Sequence, residues 1–189
     1  MKRTFIALPV DASPELKQMI SYLRRELVME SVKWVETENF HITLKFLGDT
    51  PEDKIPLITK QIAPLLEKCP VMRKNLAGLN FFSTGGMPSV LYSEIEDVTE
   101  MGPIASLIDK ELAYFGFQPE SRPFKSHLTL ARIKFLHDKA KFISLVKKFS
   151  GQPFGTAKLD RAVFYESFLY SSGPKYMPLK VFHFPDLKI

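Results

Sequence analysis

The sequence predicts an α+β fold, and three observations carry that expectation. Apolar runs of strand length follow one another with no helix between them, around residues 76–95 and again around 162–184. Segments with helical periodicity are interspersed among the strands but do not alternate strictly with them, which argues against a parallel βαβ sheet. Apolar residues make up 45% of the chain and 16 of them are Phe, material for a packed core and not for a disordered chain. A chain of 189 residues fits one domain, 1–189, or two small lobes sharing one core.

Residues 4–10 read as a strand, bounded by Pro9 and Asp11. Ser13-Pro14 reads as a helix start, an N-cap followed by proline at the first helical position. From there to about Leu27, Leu16, Met19, Ile20, Leu23 and Leu27 fall on one stripe. Residues 32–35 look extended. Residues 40–47 make a second strong strand, ended by Gly48-Asp49. Pro51 opens a helix reaching Leu66, with Pro56 and Pro64 blurring its boundaries. Residues 76–82 and 90–95 flank Ser83-Thr84-Gly85-Gly86-Met87-Pro88-Ser89, a hairpin with a long loop. Residues 98–115 read as a helix closed by Gly116, 126–133 as a strand, and 139–149 as a helix with basic residues in its last turn. Residues 162–170 and 176–184 form a final strand pair, separated by Ser171-Ser172-Gly173-Pro174-Lys175.

Charge narrows little. The formal balance is +5, from 26 basic and 21 acidic residues. It suits a phosphorylated or polyanionic partner and suits a solvated basic surface equally well. A single cysteine, Cys69, excludes an internal disulfide framework and reads as a small apolar filler. No 18-residue apolar run is present, so no membrane span is expected. Pro9 and Asp11 cut the first apolar segment short of a signal peptide. The expectation is a soluble cytoplasmic monomer without a membrane partner.

One weak internal repeat carries chemistry. Phe40-His41-Ile42-Thr43-Leu44 recurs as Ser126-His127-Leu128-Thr129-Leu130, two copies of His-x-Thr-Leu. His137 and His183 have no such context. On a strand, residues i and i+2 share a face about 6.6 Å apart. His41 and Thr43 would therefore project together, as would His127 and Thr129, while Ile42, Leu44, Leu128 and Leu130 anchor the other face. Two imidazoles can act as general acid and general base in one step. Two hydroxyls can hydrogen-bond the non-bridging oxygens of a phosphate. Phosphodiester hydrolysis needs both. A lone strand histidine is more often structural than catalytic; the duplication in matched phase tips the balance. No carboxylate or thiol sits at ligand spacing within either motif, and His-Glu-x-x-His is absent. No metal or other cofactor is expected.

These motifs resemble the signature of the two-histidine (2H) phosphoesterase superfamily, nearest its RNA 2′,3′-cyclic phosphodiesterase branch, the 2′-5′ RNA ligase-like proteins. The resemblance runs along nearly the whole chain. It takes in Arg3-Thr4-Phe5-Ile6-Ala7-Leu8, Val32-Lys33-Trp34-Val35, His41-Ile42-Thr43-Leu44-Lys45-Phe46-Leu47-Gly48 and His127-Leu128-Thr129-Leu130-Ala131-Arg132. Near the end, Tyr165-Glu166-Ser167 and Gly173-Pro174-Lys175-Tyr176 look like the family's closing hairpin. The resemblance implies a bilobal fold of two pseudo-symmetric antiparallel sheets, with outer helices and an active site in the central cleft. It also implies metal-independent hydrolysis of RNA 2′,3′-cyclic phosphate ends, such as those of tRNA fragments, to 2′-phosphates. His41 would protonate the departing O3′, His127 would activate water, and Thr43 and Thr129 would hold the phosphate. The same step with a 5′-hydroxyl in place of water would join RNA ends. One departure is Ser126, where proline commonly precedes the second histidine.

Four further residues are candidates. Arg132 resembles a position the family uses near the phosphate, yet an offset of five from His127 points to the opposite face unless a bulge intervenes. Lys45, at offset four from His41, shares the catalytic face, to meet phosphate or RNA or simply solvent. Phe5 and Trp34 could stack on a terminal base; for Phe5 a core position competes strongly. Two alternatives stand beside RNA-end hydrolysis: a 2H enzyme for a small cyclic nucleotide, and a non-catalytic binder of phosphorylated ends.

Overall fold

The computed structural model describes residues 1–96, 99–170 and 173–186. Among the described residues the chain forms β1 (Lys2–Pro9), α1 (Pro14–Glu26), β2 (Ser31–Trp34), β3 (His41–Thr50), α2 (Lys54–Leu66), β4 (Met72–Thr84), β5 (Met87–Ile95), α3 (Met101–Ala113), β6 (Leu128–Phe135), α4 (Lys139–Lys148), β7 (Pro153–Leu159), β8 (Arg161–Tyr170) and β9 (Gly173–His183). The strands build two antiparallel sheets, ordered β3-β1-β8-β9 and β2-β6-β5-β4-β7. The architecture is the α+β one expected. The chain crosses between sheets repeatedly, so that β1 pairs with both β3 and β8. Segments far apart in sequence therefore meet, which is what a site assembled from residues 41 and 127 requires.

The first helix shows how local pattern becomes packing. Ser13 Oγ accepts the Leu16 N–H at 3.0 Å, a cap worth about 1 kcal/mol. Leu16, Met19, Ile20, Leu23 and Leu27 are all buried, at about 1.5–3 kcal/mol each. Burial of the stripe, more than the cap, holds α1 down. It packs on β7, while α4 packs on β4 and α3 on β3.

Several boundaries differ from the sequence reading. β3 does not stop at Gly48-Asp49. Thr4 pairs with Gly48 and Phe5 with Phe46, leaving Leu47 as an extra residue. Gly48 has φ +70°, so the glycine marks a bulge and not an end. The long loop around Gly85-Gly86 is absent, because β4 and β5 run on to Thr84 and Met87. Both glycines have positive φ, the geometry of a two-residue turn whose twist matches that of paired strands. α2 begins at Lys54, three residues after Pro51; Pro56 falls in its first turn, where the missing N–H costs nothing. α3 begins at Met101, and residues 97–98, near its expected start, lie outside the described residues, as do residues 171–172 between the last two strands. β7 has no counterpart in the sequence reading. Pro153 and Gly155 look like turn residues, yet Gly155 bends at φ +95° and Phe154, Ala157 and Leu159 still bury inward.

Candidate active site

His41 opens β3, an edge strand of the first sheet, and His127 stands just before β6 in the second. The two strands pack against each other. Between the sheets lies a cavity of about 480 Å³ whose walls include His41, Thr43, His127, Thr129, Arg132 and Trp34.

The two motif strands share one irregularity that decides which side chains enter this cavity. On β3, Ala7 pairs with Thr43 and Ile6 with Lys45, so Leu44 is an extra residue. On β6, Tyr92 pairs with Thr129 and Leu91 with Ala131, so Leu130 is an extra residue. Both bulges fall on the third residue after the histidine. At a bulge two residues of one strand face one of its partner, and the alternation slips by one. Leu44 and Lys45 are consequently both buried, as are Leu130 and Ala131. The fifth residue after each histidine then returns to the cavity: Phe46 in the first motif and Arg132 in the second. Arg132 makes no ion pair among the described residues, so its guanidinium is available to an anion.

The same slip removes Lys45 from the candidate set. Its side chain is buried, and Nζ donates to Asp109 Oδ1 at 2.5 Å and to the Gln118 carbonyl at 2.7 Å. Lys45 ties β3 to α3 and to the segment beyond it, away from the histidine pair. Phe5 is likewise withdrawn from base stacking. It is 3% exposed and lies beneath His41, ring centroids 5.0 Å apart, stacked on Tyr165 at 5.2 Å. Trp34 does line the cavity, half-buried, with the Arg24 guanidinium 5.6 Å from its ring centre.

Each histidine is held in the same way. His41 Nδ1 donates to the Asn39 carbonyl at 2.6 Å, and His127 Nδ1 donates to the Lys125 carbonyl at 2.8 Å. A carbonyl only accepts, so the proton of each neutral ring sits on Nδ1 and Nε2 keeps its lone pair. Each ring also rests on aromatics. His41 meets Tyr176 edge-on at 5.3 Å, and His127 meets Phe82 edge-on at 4.9 Å and Tyr92 at 5.4 Å. Tyr176 and Phe82 were not singled out by sequence, although Tyr176 falls in the closing-hairpin segment. The Asn39 and Lys125 carbonyls have no sequence signal, since any residue supplies a carbonyl.

Burial among these rings penalises the charged imidazolium. It pushes the His41 pKa from 6.5 to about 4, against the raising effect of the Asn39 carbonyl; the charges of His127 and Arg132 add to the depression. His127 is shifted down as well, by burial first and by the Lys125 and Arg132 charges. Both rings are therefore biased toward their neutral form. Among the described residues, neither Thr43 nor Thr129 spends its hydroxyl on a protein hydrogen bond, and both residues line the cavity. Among the described residues no group of three or more His, Cys, Asp or Glu is placed to hold a metal ion.

Two sheets thus present matching imidazole–hydroxyl pairs to one cavity, whose walls also carry Arg132, Lys33 and Lys175. The family model described as LigT-like phosphoesterase matches residues 6–92 and 97–176, and the chain belongs to that family. It is 30% identical to the RNA 2′,3′-cyclic phosphodiesterase of Archaeoglobus fulgidus, over 95% of this chain and 99% of that one. Identity to the Thermotoga maritima protein of the same name is also 30%, over 94% and 92%. The fold is similar to the crystal structure of Escherichia coli LigT complexed with 3′-AMP, at TM-score 0.75, 20% identity and coverage of 97% and 98%. A crystal structure from Thermus thermophilus superimposes at TM-score 0.78, with 22% identity and coverage of 98% and 100%.

Proposed function

We infer that this protein hydrolyses 2′,3′-cyclic phosphate ends of RNA to 2′-phosphates by paired-histidine acid–base catalysis, acting as a monomer. The mirrored anchoring of the two imidazoles carries this reading: each is locked through Nδ1, leaving Nε2 as the one nitrogen able to exchange a proton with substrate. The names of the Archaeoglobus and Thermotoga relatives support the substrate class.

An anionic cyclic phosphodiester would bind between the rings, with Thr43, Thr129 and Arg132 donating to its non-bridging oxygens. Its charge raises the affinity of the imidazoles for a proton, so one becomes the acid while the other stays neutral. His127 takes the proton of an attacking water as the oxygen bonds to phosphorus. The P–O3′ bond breaks in line, and His41 Nε2–H protonates O3′. A 2′-phosphate and a free 3′-hydroxyl remain. Trp34 offers its face to the terminal base, a contact worth about 1–3 kcal/mol in single-stranded recognition.

The test is incubation with a short RNA ending in 2′,3′-cyclic phosphate, with product assignment and parallel His41→Ala and His127→Ala variants. A 2′-phosphate product lost in both folded variants is expected; general acid–base catalysis contributes about 10²–10⁴-fold per group. Near wild-type turnover in either variant would overturn the acid–base pair. Turnover of a 2′,3′-cyclic mononucleotide but not of the oligonucleotide would move the substrate to a small nucleotide.

A further inference from the structure

The central cavity carries more positive charge than a single cyclic phosphate uses. On β6, Arg132 pairs in register with Lys33 of β2 on one side and with Val90 of β5 on the other, and all three line the cavity. Directly opposite residues of paired strands share a face, with Cβ atoms about 4.5–5.5 Å apart. Two cations are therefore set side by side on the cavity face, an arrangement that costs stability unless an anion covers it. Neither makes an ion pair among the described residues. Glu36, the acidic residue of the lining among the described residues, lies 3.6 Å from the Arg24 guanidinium, which leans over Trp34.

A third cation arrives from the other sheet. Lys175 of β9 lines the cavity and is exposed, as Lys33 is, so both stand at its rim. Their strands approach closely: a Cβ on Gly173 would lie 3.8 Å from Lys33 Cε. The Asn39 side-chain amide donates to the Pro174 carbonyl at 3.2 Å and ties this end of β9 to the segment leading into β3.

In the phosphodiesterase reading, on which this inference rests, Thr43, Thr129 and Arg132 hold one anion at the histidines and Trp34 takes the terminal base. Lys33 is the residue before Trp34 and stands one strand outward from Arg132, about 4.8 Å further across the sheet. An RNA strand carries its next charge on the 5′-oxygen of the terminal nucleoside. We propose that Lys33 and Lys175 form a second anion site at the cavity rim, which takes the phosphate on the 5′ side of the terminal nucleoside and so selects ends that belong to a strand. Lysines are point charges on flexible stems, which suits a phosphate that is held but does not react. Arg132, whose planar fork can pair two oxygens at once, stands beside the reacting phosphate instead.

The experiment compares two short RNAs ending in 2′,3′-cyclic phosphate that differ only in the last internucleotide linkage. One has a phosphodiester there and the other an uncharged methylphosphonate; the preceding sugar is 2′-O-methylated in both, so that the neutral linkage survives. The readout is the ratio of kcat/KM for the charged over the neutral RNA, in wild type, Lys33→Gln, Lys175→Gln and the double variant. Wild type is expected to prefer the charged linkage about tenfold, the scale of a hydrogen bond to a charged group, with the difference in KM and not in kcat. Each single variant should lower the ratio about threefold, and the double variant should erase the preference. Added KCl should weaken the wild-type preference, with a log–log slope of about 0.7 for one phosphate. A wild type that treats the two RNAs alike, or a preference that the double variant retains, would overturn the second site and leave the phosphodiesterase reading standing. A wild type that hydrolyses neither RNA would overturn that reading and the inference with it.

Discussion

The depressed pKa of His41 makes the site a pH-dependent weak point in the fold. In the unfolded chain His41 titrates near 6.5, and in the folded chain near 4. As pH falls, the unfolded state takes up its proton first, so stability is complete above 6.5, declines between 6.5 and about 4, and loses nothing further below that. The full separation corresponds to about 3 kcal/mol. Between about pH 8 and pH 5 the expected loss is about 2 kcal/mol, since most but not all of the interval has been crossed. His41→Asn retains an amide that can donate to the Asn39 carbonyl but does not titrate. Urea unfolding of both proteins at the two pH values isolates the histidine, because carboxylate contributions are common to both. The wild type should lose about 2 kcal/mol more than the variant on acidification, roughly 4–8 °C in Tm for a chain of this size. His127 remains in both proteins and cancels. Inorganic phosphate should shrink the gap by stabilising the imidazolium in the folded state. A wild type and variant that lose equal stability between the two pH values would refute the reasoning.

Four further outcomes are expected. Lys45→Met should leave Asp109 without its cation and cost on the order of 3 kcal/mol of stability, with kcat per folded molecule unchanged; Arg132→Gln should do the reverse, cutting kcat/KM about 10–100-fold at constant Tm. A Lys45 variant that loses kcat but keeps its Tm would restore Lys45 to the substrate side. Thr43→Ala and Thr129→Ala should each lower kcat/KM by about 10-fold while leaving the pH profile in place, as steady-state assays across pH would show. EDTA should leave the rate of cyclic-phosphate hydrolysis unchanged; loss of activity restored by a divalent ion would replace acid–base catalysis with metal catalysis.

The two histidine motifs, the helix stripes and the α+β class were legible in the chain alone. They depend on short-range periodicity: a residue two positions along a strand shares its face, and Leu16 to Leu27 fall on one side of any helix. Composition and alternation could not say where that periodicity slips. The bulges at Leu44 and Leu130 are properties of pairing with β1 and β5, not of the residues that bulge. By slipping each motif strand one place they bring Arg132 into the cavity and send Lys45 to Asp109. Strict alternation had assigned both residues the other way. Tertiary packing also chose the carbonyls that orient the imidazoles and buried Phe5 beneath His41. It placed Phe46 on the cavity wall as well, because only the meeting of separate sheets determines what lies opposite a side chain.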